Sequence, residues 1–115
     1  MNPRQPRQPL MSGMTYFMYD ITGTPVEEPD ADAVREAVAS LGETDRENPD
    51  ISLTHESGWS LTAYAGGLLL WENVEDDSLV PGVIEKATTE DVLRLFGRLA
   101  AGDTDTVEAE GWRRE

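Results

Sequence analysis

Residues 51–74 read ISLTHESGWSLTAYAGGLLLWENV, and two glycine-bearing interruptions divide this stretch into three strand-like runs. Gly66-Gly67 falls between Ala65 and Leu68. A two-residue hairpin loop needs positive φ at one or both central positions, which glycine reaches without steric cost. Read so, the loop pairs Ala65 with Leu68, Ala63 with Leu70, Leu61 with Glu72 and Trp59 with Val74. Glu56-Ser57-Gly58 suits a three-residue loop instead, a type I turn closed by a glycine bulge. His55 then faces Trp59, Leu53 faces Leu61 and Ile51 faces Ala63. A two-residue reading of Ser57-Gly58 would mix Ser52, Thr54 and Glu56 with the apolar residues, so the bulged turn is the consistent choice.

Both turns then place Ile51, Leu53, Trp59, Leu61, Ala63, Leu68, Leu70 and Val74 on one side of a sheet, as a core face. Ser52, Thr54, Ser60, Thr62 and Asn73 fall on the other side. The same parity puts Tyr64, Leu69 and Trp71 on that polar side, three large groups unexplained by folding. Exposed clusters of this kind are frequent hot spots, because tryptophan and tyrosine bring much area for little rotamer entropy. The bland reading is that Trp112 and the tail, or the N-terminal segment, fold over them. Glu72 fits least well, since this register sets it opposite Leu61 in the core. It requires a sheet margin, a missed bulge, or a partner such as Arg35, Arg94 or Arg98.

Outward from this meander the chain punctuates itself. Thr15 to Asp20 is an aromatic-rich strand, followed by a loop through Pro25 and Pro29. Asp30 can cap a short helix in which Val34, Val38 and Leu41 recur at helical spacing before Gly42. After Val74, Pro81-Gly82 introduces Val83-Ile84, an irregular edge strand. Thr88 with Asp91 resembles a capping box, and Val92, Leu95, Phe96 and Leu99 give the apolar stripe of a helix from Thr89 to Ala101, with Glu90 and Arg94 spaced to pair. The tail through Val107 and Trp112 offers at most a short strand. The expected fold class is α+β: a two-layer domain over 14–115 in which two helices cover one face of an antiparallel sheet made of the meander and the N-terminal strand. Residues 1–13, with Pro-Arg-Gln repeated, read as a disordered leader, and Met1, Met11 and Met14 are all candidate starts.

With 115 residues and no cysteine, disulfides, thiolate zinc sites and cysteine nucleophiles are excluded. No run approaches the ~20 apolar residues of a membrane span and no secretory leader is visible, so the expectation is a cytoplasmic protein. The net charge of −14 opposes nucleic-acid binding and favours a basic partner, although acidity also serves solubility or growth in high salt.

Chemistry is sparse. His55 is the single histidine, and one histidine without a nucleophile or second ligand is more often structural. The acidic runs Glu75-Asp76-Asp77 and Asp103-Thr104-Asp105 lack the glycine and terminal glutamate of a calcium loop and read as solvated turns. No catalytic residue, metal site or cofactor is assigned.

Gly58-Trp59, Leu70-Trp71-Glu72-Asn73, Thr89-Glu90-Asp91-Val92-Leu93, Ala101-Gly102-Asp103 and Trp112 resemble a group of small, uncharacterised bacterial proteins. In size and acidity the chain is also similar to immunity proteins that neutralise secreted bacterial toxins, which implies protein binding. Neither likeness assigns a role to any residue. The leading expectation is a non-enzymatic protein-binding module in which Glu75, Asp76 and Asp77 steer a basic partner and Tyr64, Leu69 and Trp71 supply contact area. Two other classes compete with it. One is a small ligand-binding domain or enzyme using the His55, Trp59 and Glu72 region, and the other is a homo-oligomer that buries the exposed face.

Overall fold

In the computed structural model, which describes residues 15–43, 47 and 49–114, the elements are β1 (Tyr16–Tyr19), β2 (Pro25–Glu27), α1 (Ala31–Ser40), β3 (Asp50–His55), β4 (Trp59–Tyr64), β5 (Leu69–Asn73), β6 (Gly82–Ile84), α2 (Thr89–Ala100) and α3 (Thr104–Glu108). The strands form one six-stranded sheet in the order β2-β1-β3-β4-β5-β6, and every neighbouring pair is antiparallel. This is the expected α+β class. The leader over residues 1–13 lies outside the described residues.

The first hairpin forms as its sequence requires. Ile51 pairs with Ala63 and Leu53 with Leu61, while Gly58 takes φ 95° and its N–H donates to the His55 carbonyl at 2.9 Å. The second hairpin differs by one residue. Tyr64 N–H donates to the Leu68 carbonyl at 2.9 Å and Gly67 N–H reaches the Tyr64 carbonyl at 3.4 Å, so the loop is Ala65-Gly66-Gly67. Gly66, at φ 94°, occupies the position where a type II turn needs positive φ, and Gly67, at φ 97°, supplies the bulge. Ala87 N–H also donates to the Gly67 carbonyl at 2.9 Å, which ties the loop to the β6–α2 connection.

That single extra loop residue reverses β5, because side chains alternate with period two. Leu69 now opposes Ala63 and Trp71 opposes Leu61, while Ser60 faces Glu72. Leu69 and Trp71 are 0% exposed, whereas Leu68 and Val74, expected in the core, are exposed. The energetic reason is plain: this register buries an indole and a leucine, each worth about 1.5–3 kcal/mol or more, and removes Glu72 from the interior.

All three helices lie on the Leu69/Trp71 face. Val34, Ala37, Val38 and Leu41 from α1, Val92, Leu95, Phe96 and Leu99 from α2 and Val107 from α3 share a core with Met18, Ile51, Leu53, Leu61, Ala63, Leu69 and Trp71. Asp30 caps α1 by accepting from Ala33 N–H at 2.8 Å. Thr88 and Asp91 close a reciprocal capping box on α2. Arg94 pairs with Asp91 at 3.3 Å and with Glu110 at 2.8 Å, rather than with Glu90, because the tail after α3 returns alongside α2.

α3 replaces the short strand expected in the tail. It brings Trp112 against the sheet, and Trp59, Trp71 and Trp112 stack in one slab, with ring centroids 4.6 Å and 5.9 Å apart. Trp71 Nε1 donates to Glu108 Oε1 at 2.8 Å and Trp112 Nε1 to the Val107 carbonyl at 2.6 Å. The buried Trp71 and the half-buried Trp112 thus each keep a hydrogen-bond partner. Gly82 makes room for the slab: a Cβ there would sit 2.7 Å from Trp112 Cβ. Beyond it, Val83 and Arg113 exchange backbone hydrogen bonds at 2.9 Å.

Candidate functional site

The sheet face opposite the helices carries two full cross-strand rows. One runs Glu27, Phe17, Thr54, Ser60, Glu72. The next runs Pro25, Tyr19, Ser52, Thr62, Leu70, Val83. Asp50 and Tyr64 pair at the end of β3 and β4. The centre is therefore a floor of four small hydroxyl residues, Ser52, Thr54, Ser60 and Thr62. Aromatic side chains from β1 stand on one flank, and Leu70 and Glu72 from β5 on the other. No described helix crosses this face.

The floor is polar but internally satisfied in part, with Thr54 Oγ1 and Ser60 Oγ 3.0 Å apart. Ser60 and Thr62 are buried. On the β1 flank, Phe17 and Tyr19 meet edge to face at 5.1 Å. Tyr64 sits between carboxylates: burial first, then the negative charges of Asp50 and Glu72, hold its hydroxyl above the ordinary tyrosine pKa. No described arginine or lysine forms an ion pair with Glu27, Asp50 or Glu72.

Of the three residues expected to form one exposed patch, Tyr64 alone lies on this face. Leu69 and Trp71 are in the core, for the reason of register given above. Their partner-contact role loses its basis, and Tyr19 and Leu70 occupy the positions that sequence reasoning missed. The signal was present in Glu72, whose misfit in the core is cured by moving β5 one residue.

Glu75, Asp76 and Asp77 are exposed on the β5–β6 loop. This loop abuts the first hairpin turn, since a Cβ on Gly58 would lie 3.1 Å from Glu75 Cγ. Asp76 folds the loop on itself by accepting from Ser78 N–H at 3.1 Å and Ser78 Oγ at 2.6 Å. Among the described residues no group of three or more histidine, cysteine or acidic side chains is placed to hold a metal ion, and no helix is long and apolar enough to cross a membrane.

The His55, Trp59 and Glu72 region is not one pocket. His55 and Trp59 belong to the helix-covered face, where Trp59 stacks on Trp71, and Glu72 points to the opposite face. His55 is buried, its Nδ1 accepts from Ser57 N–H at 3.1 Å, and Ser57 Oγ stands 2.9 Å from the same nitrogen. These contacts describe a turn staple.

A separate cleft of about 450 Å³ lies between α1 and α2, lined by residues that include Tyr16, Val34, Arg35, Leu93 and Phe96. Its polar groups are engaged: the Tyr16 hydroxyl donates to the Pro29 carbonyl at 3.2 Å, and Arg35 pairs with Asp32. Burial first, then Glu28 and Asp30, keep the Tyr16 hydroxyl protonated well above neutral pH. No nucleophile and base converge there. No protein-family model matches the chain, and neither any curated protein nor any solved structure gives a significant match.

Proposed function

We propose that this chain is a non-enzymatic protein-binding module for a basic partner. The distribution of charge carries this reading. Each described arginine is engaged by a carboxylate: Arg35 by Asp32, Arg94 by Asp91 and Glu110, Arg98 by Asp103, Arg113 by Glu85 and Arg114 by Glu108. The acidic excess therefore lies on exposed side chains outside these pairs, among them Glu27 and Asp50 at the sheet, Asp76 and Asp77 on the β5–β6 loop, and Glu36 and Glu90 on α1 and α2. A field of one sign steers an oppositely charged protein and raises its association rate.

An immunity-type inhibitor of a basic toxin, acting in the cytoplasm, is the specific form of this proposal, supported by size and acidity. A catalytic reading has less support, because His55, Trp59 and Glu72 do not share a face. Self-association through the open face has less still, because it would bring like charges together.

The test is affinity capture on the full chain from the native cell at low salt, followed by binding measurements on the captured protein. The expected partner is basic, with affinity falling at least tenfold between about 0.05 M and 0.5 M salt, as screening of exposed charges requires. A tight partner that is acidic, or whose affinity ignores salt, would remove the proposal.

A further inference from the structure

We propose that the cleft between α1 and α2 is a binding site for a small, uncharged aromatic molecule. It stands apart from the binding of a basic partner, and neither depends on the other. The cleft has a volume of about 450 Å³, within the roughly 300–1,000 Å³ of small-molecule sites. Buried Val34 and Phe96, half-buried Tyr16 and Leu93, and exposed Gly97 all line it. An apolar interior that opens to solvent on one side is the form such sites take.

Gly97 supplies the reason to expect an occupant. It lies inside α2 and is the one glycine within a described helix. Glycine is the least favourable helix residue after proline, and the fold gives no reason for one here. Its φ is not positive. Close packing does not require it either, since a Cβ at Gly97 meets no atom within 4 Å; at Gly82, by contrast, Trp112 already holds that space. Glycine also serves where a ligand approaches the backbone closely, and the space beside Gly97 belongs to the cleft. A larger side chain there would enter the volume that the molecule fills.

The lining decides the chemistry of the guest. Tyr16 and Phe96 offer rings, which favour an aromatic molecule through offset or edge-to-face contact. The charged groups of the lining are Asp30 and Arg35, one of each sign. Asp30 already accepts from the Ala33 N–H at 2.8 Å, and Arg35 pairs with Asp32. An ionic molecule therefore finds no uncommitted counter-charge and gives up its hydration on entering, whereas a neutral ring gives up little. The same balance of charge gives a basic protein no preference for this cleft over the acidic surface elsewhere.

The test is a titration of the ¹⁵N-labelled full chain with indole at physiological salt. Indole-3-acetate and tryptamine are the charged comparisons, and N-acetyltryptophanamide sets the same ring on a peptide. Saturable shifts centred on the amides of Tyr16, Val34, Leu93, Phe96 and Gly97 are expected, with indole bound at least threefold more tightly than either charged derivative. Gly97→Leu should lower the affinity for indole at least tenfold and leave Tm unchanged or higher, because it sets a strong helix former in open space. Leu93→Gln should lower the affinity at least threefold, and Glu36→Gln, outside the cleft, less than twofold. Two cleft variants are used so that a folding defect in one, visible in its spectrum, leaves the other to decide. Absence of saturable shifts, undiminished affinity in Gly97→Leu, or a lower Tm for that variant would overturn the site. N-acetyltryptophanamide bound at least tenfold more tightly than indole would give the cleft to a side chain of a protein partner. Concentration-dependent shifts of the same amides without ligand would give it to a second copy, and shifts in the free chain on Leu10→Ser with Met11→Ser to the N-terminal segment. Each of these three outcomes overturns the proposal.

Discussion

Gly66 and Gly67 have nearly the same backbone φ, 94° and 97°, yet replacing them with alanine should have unequal consequences. An L-residue held at positive φ costs about 1–2 kcal/mol, and this cost is common to both. A Cβ at Gly66 meets nothing within 4 Å, so Gly66→Ala should stop there. A Cβ at Gly67 would lie 3.0 Å from the Ala87 carbonyl oxygen and 3.3 Å from the Ala87 nitrogen. Those atoms are backbone, and the nitrogen also donates to the Gly67 carbonyl, so they cannot rotate aside as a side chain could. Overpacking of this kind adds about 1–3 kcal/mol. Gly67→Ala should therefore lose about 2–5 kcal/mol in all and exceed Gly66→Ala by at least about 1 kcal/mol. For a domain near 100 residues that difference is about 4–8 °C in Tm. Urea and thermal unfolding followed by circular dichroism measure it. Equal losses, or a larger loss at Gly66, would show that the loop is not docked on Ala87, and the three-residue loop that sets β5 would lose its anchor.

Three further outcomes follow from the same structure. Leu69→Ser should destabilise by about 3–5 kcal/mol and Leu70→Ser by about 1 kcal/mol or less, with denaturant midpoints as the readout; comparable losses would count against the assigned faces. Trp71→Ala should cost about 3–5 kcal/mol and change the near-ultraviolet circular dichroism of the remaining pair, because Trp71 lies between Trp59 and Trp112; an unaltered aromatic spectrum would contradict the slab. Asp91 is held below the ordinary carboxyl pKa of 3.8, first by the Thr88 backbone N–H and then by hydrogen bonds from Arg94 and Thr88. A carboxyl depressed in the folded state contributes stability that is complete above its unfolded pKa and lost as pH falls through the folded value. The stability gap between the natural chain and Asp91→Asn should thus be constant near neutral pH and close below about pH 4; a gap that widens on acidification would contradict the cap.

What could be read from the residues was local. Asp30 and the Thr88/Asp91 pair mark their helix starts within one turn of chain, and α2 shows its stripe from Val92 to Leu99. The first hairpin was legible because a wrong loop length would have put Ser52, Thr54 and Glu56 in the core, a visible penalty. The second gave no such warning along most of its length: Leu68-Leu69-Leu70-Trp71 is apolar in both registers, so alternation could not choose between two and three loop residues. Only Glu72 objected, and the contact that decides the loop, Gly67 against Ala87, is remote in sequence. β2, three residues beginning at Pro25, and α3, five residues, are too short to carry a period. The stacking of Trp112 on Trp71 joins segments that no local rule connects. As for the site, the charge and Tyr64 were visible, while Tyr19 and Leu70 waited on the register.

The identity of the open face depends on the pairing of β4 with β5, and that pairing can be observed directly. Tyr64 and Leu68 share a backbone hydrogen bond of 2.9 Å, so the alternate pairs Ala63–Leu69 and Leu61–Trp71 are non-hydrogen-bonded, with Cα atoms about 4.5 Å apart and Hα protons in close contact. Nuclear Overhauser spectroscopy of the full chain should show a strong Hα–Hα contact between Leu61 and Trp71. A strong Hα–Hα contact between Thr62 and Trp71 in its place would return Trp71 to the face opposite the helices and contradict the assigned core.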